Sequence, residues 1–396
     1  MSHTDILKSQ LQDNPPRITV DEAVEIYENA NLNDLMHVAS IARKRIVPGN
    51  EVTYLVDRNI NYTNICTINC NFCSFYRSPG HDEGYTQSLD QISARIEELE
   101  ELGGSRILMQ GGVNPSLKFE WYTELLSELS LRHPTIALDC FSPIEIEGIA
   151  EVSGLSTIEV LERFRESGMH GLPGGGAEML VDTVRSGISP KKGSSENWIR
   201  VMGEAQSLGL TTSATNVFGF GESIKDRVEH MSKIRSLQES SLSNGFLGFT
   251  SFISWPVMLE NNAFGKIGIR RGATNLGAGS VEYLRHVSVS RLFMNNIDHI
   301  QASWPTMGLK VAQIALTAGA DDIGSTMMEE NVVSASGTTK TMATISELKE
   351  SILSCGFTPA KRDSDYKILS IPEAVSYTHL RAHETLRYLV CRLLLE

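Results

Sequence analysis

The first fifty residues carry a helical pattern of apolar and polar positions. Thr19-Val-Asp-Glu22 is a capping-box sequence, and it stands directly before Ala23 and Ile26, which are apolar positions at helical spacing. A second helix is predicted over residues 33–45. We therefore expect residues 1–50 to form a helical cap over one end of the fold that follows.

From Val52 onward, β-rich runs alternate with amphipathic helical stretches. The runs that read as strands are residues 54–59, 106–110, 137–141, 169–172, 211–218, 248–253, 299–303 and 321–324. The stretches that read as helices are residues 89–102, 119–132, 158–167, 196–208, 225–237, 281–295, 310–318 and 345–354. Eight strand–helix units predict an α/β fold with a parallel sheet, a TIM-like (β/α)8 barrel over residues 51–369.

Polar and glycine-rich stretches follow the predicted strands. They are Gln110-Gly-Gly-Val-Asn-Pro115, Phe141-Ser-Pro143, Leu172-Pro-Gly-Gly-Gly-Ala-Glu178, Gly219-Phe-Gly-Glu222, Trp255-Pro256, Gln301-Ala-Ser-Trp304 and Ser325-Thr-Met-Met-Glu-Glu-Asn331. A glycine pair alone is equally well an ordinary turn. In barrels of this type, however, functional residues lie on the loops after the carboxyl ends of the strands. The repeated placement therefore predicts a site at that end of the barrel.

Composition sets the outer limits on location and partners. The chain has 396 residues, 41% apolar content and a formal net charge of -13. No apolar run approaches the ~20 residues that span a bilayer, and Met1-Ser-His-Thr-Asp5 lacks the basic and apolar regions of a signal peptide. We therefore expect a cytoplasmic protein without a membrane partner. The negative charge disfavours a nucleic-acid partner, although it can equally serve solubility alone.

Three cysteines are grouped in Cys66-Thr-Ile-Asn-Cys70-Asn-Phe-Cys73, directly after the first predicted strand. Such a loop can wrap an iron–sulfur cluster and leave one iron without a protein ligand, whereas structural zinc needs a closed shell of four ligands. Cys140, Cys355 and Cys391 form no second pair. In a reducing compartment, grouped cysteines indicate metal binding or catalysis more often than disulfides.

Two other classes of protein remain open at this point. A non-catalytic iron–sulfur or zinc-binding scaffold would need a fourth ligand, for which His81 and Cys140 are the candidates. A metal-independent barrel aldolase or isomerase would need a lysine or paired carboxylates at the strand ends. The sequence shows neither a convincing lysine nor convincing paired carboxylates at the ends of its predicted strands.

The cysteine spacing, with Phe72 directly before the third cysteine, resembles the signature of radical S-adenosylmethionine (SAM) enzymes. The resemblance implies a [4Fe-4S] cluster on Cys66, Cys70 and Cys73, whose open iron is chelated by the amino and carboxylate groups of SAM. The residues expected to bind this cofactor are Phe72, Tyr76, Gly111, Gly112, Ser142 and Glu178.

Each of these residue types has a physical reason to contact SAM. Gly111 and Gly112 have no Cβ, so backbone groups can approach the ligand closely. The Glu178 carboxylate could accept hydrogen bonds from the SAM ammonium or the ribose hydroxyls, unless it is a solvated loop residue. Phe72 and Tyr76 could shield the cluster or contact adenine, although aromatic residues beside a barrel strand are equally often core.

Longer stretches are similar to the radical SAM enzymes of the menaquinone (futalosine) pathway. The stretches are Asp57-Arg-Asn-Ile-Asn-Tyr-Thr-Asn64, Cys73-Ser-Phe-Tyr-Arg77, Leu172-Pro-Gly-Gly-Gly-Ala-Glu178, Ser189-Pro-Lys-Lys192 and Glu329-Glu-Asn-Val-Val-Ser-Ala335. Similarity runs from about residue 21 to about residue 369. Two further stretches, Thr250-Ser-Phe-Ile253 with Trp255-Pro256 and Ile300-Gln-Ala-Ser-Trp304, look like the members that cyclise dehypoxanthinyl futalosine. Members that form aminofutalosine or a deazaflavin precursor are the alternative.

The resemblance implies a reaction and a substrate site. A 5′-deoxyadenosyl radical would abstract hydrogen from the sugar-derived part of dehypoxanthinyl futalosine, and the carbon radical would add to its benzoate ring. A low-potential electron donor is the second expected partner. The residues expected to contact the substrate are Arg58, Arg77, Asn59, Gln301, Ser303 and Glu330. The sequence departs from the family pattern at Val257-Met-Leu259 and Pro305-Thr-Met307.

The C-terminal segment, residues 370–396, has a different character. From Val375 onward it resembles a translated cloning or sequencing adaptor, so we expect it to be non-native and to take no part in the fold. The alternative is a native helix with Leu389, Leu393 and Leu394 on one face.

Overall fold

The computed structural model describes residues 1–270 and 276–371. Its strands are β1 (Glu51–Leu55), β2 (Asp57–Ile60), β3 (Arg106–Met109), β4 (Ala137–Cys140), β5 (Gly171–Leu172), β6 (Thr211–Phe218), β7 (Phe249–Pro256), β8 (His299–Gln301), β9 (Asp322–Ser325), β10 (Thr358–Arg362) and β11 (Ile368–Ser370). Its helices are α1 (His3–Ser9), α2 (Val20–Asn29), α3 (Leu32–Ile46), α4 (Leu89–Glu101), α5 (Phe119–Arg132), α6 (Pro143–Ser153), α7 (Thr157–Glu166), α8 (Asp182–Ile188), α9 (Ser195–Ser207), α10 (Ile224–Ser243), α11 (Ala263–Arg270), α12 (Ser280–Phe293), α13 (Trp304–Thr317) and α14 (Ile345–Leu353).

The strands form one curled sheet in the order β11-β10-β1-β9-β8-β7-β6-β5-β4-β3-β2. Every pairing is parallel except that of β10 with β11. A bridge between Arg58 and Met328 brings β2 beside the chain that follows β9, and Asn59 N donates to Met328 O at 2.8 Å. The sheet therefore curls into a barrel, and the predicted (β/α)8 fold class is confirmed.

The first predicted strand, residues 54–59, is two strands in the structure. β1 pairs with β9 and β10, whereas β2 pairs with β3, so the chain changes partners at Val56. Because of this exchange, β10 enters the sheet beside β1. The sequence pattern did not reveal β10, because Thr358–Arg362 carries Pro, Lys and Arg. Each other predicted strand overlaps an observed one.

The N-terminal helices pack on one flank of the barrel. The predicted capping box at Thr19 and Glu22 is present, and α2 and α3 contact α10 and α12. Their apolar residues belong to the same core as the barrel. We propose that the boundary between this helical cap and the barrel lies near residue 50.

Residues 362–366, which we call the crossing segment, run across the amino-terminal end of the barrel. Arg362 pairs with Asp322, Ser364 donates to Asp139, and Tyr366 stacks on His299 at 3.9 Å between ring centroids. Because these partners belong to β9, β4 and β8, the segment closes the amino-terminal end of the barrel, which we call its floor.

Across residues 1–270 and 276–371, no helix has both the length and the apolar character needed to cross a membrane. The predicted adaptor-like segment from about residue 375 lies outside the described residues.

Candidate active site

A cavity of about 400 Å³ occupies the barrel lumen. The three clustered cysteines line it near the carboxyl ends of the strands, and Arg362 and Tyr366 of the crossing segment line its floor. The predicted cofactor residues all line this cavity: Phe72, Tyr76, Gly111, Gly112, Ser142 and Glu178. The structure thus brings residues from widely separated loops to one chamber, as expected for the carboxyl end of such a barrel.

The cysteine loop is held by backbone hydrogen bonds. Cys66 N donates to Arg77 O at 2.9 Å, and Cys73 N donates to Cys70 O at 3.2 Å. Asn69 has a φ of 55°, a left-handed conformation that asparagine tolerates better than most residues. These hydrogen bonds and this backbone conformation give the loop a defined shape.

Left-handed backbone conformations concentrate around the mouth of the cavity. The non-glycine residues with positive φ that follow the strands are Asn69, Phe141, Glu178, Asn261, Met327, Glu329 and, in the crossing segment, Tyr366. Such conformations cost free energy and persist where the surrounding structure imposes them, which is common at functional sites.

The cysteine thiols lie in a largely apolar setting. Burial raises the pKa of Cys66, and it raises the pKa of Cys73 to about 11. The ring of Phe72 packs edge-on against Phe220 with centroids 5.4 Å apart. A thiolate is the form that binds metal, so these half-buried thiols need a cationic partner to lose their protons.

Glu178 and Lys192 form an ion pair in the cavity wall. Lys192 Nζ lies 2.8 Å from Glu178 Oε2, an electrostatic contact without a well-directed hydrogen bond. Burial lowers the pKa of Lys192, but the charges of Cys70 and Glu178 outweigh burial and leave the pKa raised. Arg185 lies farther away, at 3.9 Å from Glu178. The predicted ligand carboxylate is therefore buried and paired, not a solvated loop residue.

The glycines after β3 make room for the cysteine loop. A Cβ on Gly112 would lie 2.2 Å from Ile65 O and 2.7 Å from Cys66 Cβ, and one on Gly111 would lie 2.8 Å from the Tyr62 ring. Glycine is thus required at both positions for close packing of the protein itself. This steric reason differs from the ligand approach expected from the sequence.

Glu145 is a buried acid in the cavity wall that the sequence pattern did not reveal. Its carboxylate accepts hydrogen bonds from Ser142 Oγ at 2.6 Å, Tyr62 OH at 2.8 Å and Gly111 N at 2.9 Å. Burial raises the pKa of Glu145 to about 7, and these three donors oppose the rise. Glu145 therefore joins the loop after β3 to the loop after β4, where Ser142 caps α6.

Four of the six predicted substrate residues line the cavity. They are Asn59, Gln301, Ser303 and Glu330. Glu330 accepts backbone hydrogen bonds from Val332, Val333 and Ser334, and burial raises the pKa of Glu330. Its first role is thus to shape its own loop.

The other two, Arg58 and Arg77, lie outside the cavity lining. Arg58 alternates with inward-facing Asn59 on β2, so its guanidinium points away from the lumen and pairs with Glu98 at 2.5 Å and Glu329 at 2.6 Å. Arg77 pairs with Glu83 at 2.6 Å and donates to carbonyl groups of the cysteine loop. The structure therefore places neither guanidinium against the lumen, where the sequence predicted a substrate contact; both support neighbouring loops.

The charged residues that do line the lumen near the floor are Arg106, Asp139 and Arg362. Arg106 and Asp139 belong to β3 and β4 and face inward, 3.6 Å apart. Sequence reasoning missed them, although a charged residue within a buried parallel strand was a usable signal.

Comparison with known proteins identifies the family. Residues 60–234 match the radical SAM superfamily, and residues 246–375 match the CofH/MqnC C-terminal region. The chain is 40% identical over 356 residues to "Cyclic dehypoxanthine futalosine synthase" of Halalkalibacterium halodurans. The alignment covers 90% of this chain and 92% of that protein. The chain belongs to the radical SAM superfamily.

Other relatives of this radical SAM enzyme include one protein of the same name and one that is named for a different activity. It is 37% identical to the Streptomyces coelicolor protein of the same name, with 90% of this chain and 86% of the relative covered. It is 32% identical to "5-amino-6-(D-ribitylamino)uracil--L-tyrosine 4-hydroxyphenyl transferase" of Methanopyrus kandleri. That alignment covers 91% of this chain and 100% of the relative.

Two solved structures share the fold of the radical SAM enzyme. Methylornithine synthase (PylB) superposes with a TM-score of 0.67 at 15% identity, covering 90% of this chain and 97% of that one. The hydrogenase maturase HydG of Carboxydothermus hydrogenoformans gives 0.66 at 15% identity, covering 92% and 80%. At this identity the similarity shows the fold alone.

The donor set of the enzyme fits the cofactors that its family implies. Three free cysteines line one end of a chamber that also presents a buried carboxylate on Glu178. In the part of the chain that the structure describes, no three His, Cys, Asp or Glu side chains converge on a position for one metal ion. Thiolates of a cluster each bind a different iron, so a [4Fe-4S] site needs no such convergence.

Proposed function

We propose that this radical SAM enzyme converts dehypoxanthinyl futalosine to its cyclic form in menaquinone biosynthesis. The observation that carries the proposal is the similarity to two proteins named cyclic dehypoxanthine futalosine synthase, at 40% and 37% identity over 90% of this chain. The match of residues 246–375 to the CofH/MqnC C-terminal region supports it, because that region supplies the cavity wall on β7 and β8.

The proposal includes the cofactors. Cys66, Cys70 and Cys73 would each bind one iron of a [4Fe-4S] cluster, and SAM would chelate the fourth. When bound, these groups supply a 5′-deoxyadenosyl radical that removes a hydrogen atom from the substrate. Glu178 would accept hydrogen bonds from SAM, with Lys192 holding its carboxylate in place. A low-potential electron donor would be the protein's second partner.

The task of the protein in such chemistry is to position the substrate and to exclude water. Apolar side chains serve the second purpose where the cavity meets the loops after the strands. They include Phe72, Ile144, Val217, Trp255, Val257 and Met258. The overall reaction balances: SAM and substrate give methionine, 5′-deoxyadenosine, one proton and a product with two fewer hydrogens.

An anaerobic assay with reductant, SAM and dehypoxanthinyl futalosine tests the proposal. We expect equal amounts of 5′-deoxyadenosine and of a product two mass units lighter than the substrate. If an enolpyruvyl benzoate instead gives an adenosyl adduct without free 5′-deoxyadenosine, aminofutalosine synthesis replaces the cyclase activity.

A second candidate function rests on the Methanopyrus kandleri relative, which the chain covers completely at 32% identity. The same assay with tyrosine and 5-amino-6-(D-ribitylamino)uracil distinguishes it. Consumption of tyrosine with formation of a hydroxyphenyl adduct would favour this transferase, which belongs with deazaflavin-precursor synthesis. We expect no such adduct.

A further inference from the structure

One level of the barrel lumen carries polar side chains just above the crossing segment. The residues paired across the parallel strands at this level are Asn59, Leu108, Asp139, Gly171 and Thr211. All except Gly171 line the cavity. Gly171 leaves space for its neighbour, because a Cβ there would lie 2.5 Å from Asp139 Oδ1. We call Asn59, Leu108, Asp139 and Thr211 the floor layer.

Two oxygen atoms of the floor layer lack hydrogen-bond partners among residues 1–270 and 276–371. Asn59 is 7% exposed and Asp139 is 5% exposed, and Oδ1 of each accepts no hydrogen bond from these residues. The other carboxylate oxygen of Asp139 is already used, because it accepts a hydrogen bond from Ser364 Oγ. A buried acceptor without a donor is costly, and native proteins usually satisfy such atoms with protein, water or ligand. These two acceptors therefore call for O–H or N–H donors.

The charges around the floor layer disfavour an acidic ligand there. Arg106 pairs with Asp57 and lies 3.6 Å from Asp139, while Arg362 lies 2.6 Å from Asp322. Each guanidinium thus already has a carboxylate partner, and the one buried donor that they leave unpaired among the described residues, Arg106 Nε, can be met by a neutral oxygen such as that of a hydroxyl group. A substrate carboxylate at this level would meet the Asp139 side chain and would offer it no donor, whereas a hydroxyl group can donate to Oδ1.

The opposite character prevails higher in the cavity. Its wall there presents Trp255, Val257, Met258, Pro305 and Met327. These side chains bind an aromatic ring better than a polyhydroxylated group, because a buried hydroxyl needs a hydrogen-bond partner. The cavity is therefore divided into an apolar part and an acceptor-rich floor.

From this division we infer that the floor layer binds the hydroxyl groups of the sugar-derived part of the substrate, with Asn59 and Asp139 as acceptors. The aromatic ring of the substrate then occupies the apolar part of the cavity. The inference rests on the proposed function and makes Asn59 and Asp139 specificity-determining residues for it.

The experiment is a thermodynamic cycle that removes a hydroxyl group from the substrate and the Asp139 carboxylate from the enzyme, separately and together. Binding of dehypoxanthinyl futalosine and of its 2-deoxy and 3-deoxy analogues is measured by calorimetry, with cluster and SAM present and reductant omitted so that no turnover occurs. We expect at least one deoxy analogue to bind the unaltered enzyme about tenfold more weakly or worse, because the acceptor it should satisfy stays unpaired. In Asp139→Ala the parent and that analogue should bind equally.

Two further variants guard against a merely structural effect. Asp139→Asn keeps the size of the side chain and should retain part of the discrimination. Asp365→Asn is the matched control, since Asp365 accepts from Thr211 on the outer side of the floor but does not line the cavity. It should discriminate as the unaltered enzyme does. Iron content and SAM binding report whether each variant is folded.

Every outcome bears on the inference. Equal binding of the parent and both deoxy analogues by the unaltered enzyme, or undiminished discrimination in Asp139→Ala, would overturn the inference even where turnover proves the proposed function correct. If the unaltered enzyme neither converts nor binds dehypoxanthinyl futalosine, the proposed function fails and the inference fails with it. The inference would also be overturned if Asp139→Ala bound the parent and the analogues more weakly by the same factor, so that the discrimination persisted. That result would indicate a structural role alone.

Discussion

Lys192 Nζ lies 2.8 Å from Glu178 Oε2, and the two side chains are only 7% and 11% exposed. Glu178 has a φ of 37°, so its carboxylate reaches the pair from a left-handed backbone. Lys192 also lies 5.2 Å from the centre of the Phe72 ring. The ion pair therefore ties the glycine-rich loop after β5 to the cysteine loop, and it places a positive charge beside both.

Replacing Lys192 by Met should destabilise the cofactor-free protein by about 3 kcal/mol, because removal of one partner leaves a buried charge unpaired. Denaturant unfolding of the metal-free protein measures this loss. Lys191→Met is the matched control: Lys191 is exposed, and its change should fall within about 0.5 kcal/mol of zero. Equal unfolding of the two variants would show that the pair contributes little.

Replacing any one of Cys66, Cys70 or Cys73 by Ala should abolish reductive cleavage of SAM, because an incomplete thiolate set cannot hold the cluster in its active form. Iron and sulfide content, with reduced-state spectra in the presence and absence of SAM, measures the effect. Cys355→Ser is the control, since Cys355 lies outside the cavity lining. Full SAM cleavage by Cys70→Ala would contradict the ligand assignment.

Glu145 should make stability depend on pH. Burial raises the pKa of Glu145 from 4.5 to about 7, so between these values the folded state binds more protons at this site than the unfolded state. The free energy of unfolding should therefore fall as the pH rises through this window, by up to about 3 kcal/mol from this group. Glu145→Gln should remove that part of the slope.

The measurement is denaturant unfolding of the metal-free protein at several pH values between 4.5 and 7.5, which brackets the pKa of Glu145 of about 7. Glu151→Gln, at an exposed position on the same helix α6, should keep the slope of the unaltered protein. Identical slopes for Glu145→Gln and Glu151→Gln would argue against a strongly shifted pKa.

The barrel was predictable from sequence because its strands and helices have distinct periods and its loops carry glycine and polar residues. The crossing segment was not, because its stabilising contacts join distant parts of the chain. Tyr366 stacks on His299 and Ser364 bonds to Asp139, and neither pairing leaves a local pattern. The change of pairing partners between β1 and β2 was not predictable either, because it depends on contacts with the distant strands β3, β9 and β10.

For the candidate site, sequence located the loops but not the direction of the side chains. Arg58 and Asn59 are adjacent on β2, so one faces the helices and the other the lumen. A shift of one residue in the assumed register reverses the two roles. Glu145 escaped notice because it lies within an apolar helix and is recognisable only by its partners on other loops.

Gly112→Ala should disturb the cysteine loop, since the new Cβ would lie 2.2 Å from Ile65 O. We expect a loss of roughly 1–3 kcal/mol in unfolding free energy and a lower iron content after reconstitution. Gly187→Ala provides the comparison, because a Cβ on Gly187 meets no neighbouring atom of the described chain within 4 Å and helix α8 gains from alanine. Undiminished iron content in Gly112→Ala would show that the loop can move aside.

The last prediction concerns Arg58, whose guanidinium contacts Glu98, Glu329 and the carbonyl oxygen of Arg95 instead of the cavity. Arg58→Met should lower the free energy of unfolding by roughly 1–3 kcal/mol, because charge-assisted hydrogen bonds are lost at a buried side chain. It should leave the KM for dehypoxanthinyl futalosine within about twofold, since a residue that does not touch the substrate removes no binding energy. Steady-state assays at matched iron content separate the two effects. A tenfold rise in KM without any change in unfolding would mean that Arg58 turns toward the lumen when substrate binds, and its orientation in β2 would then describe only the free enzyme.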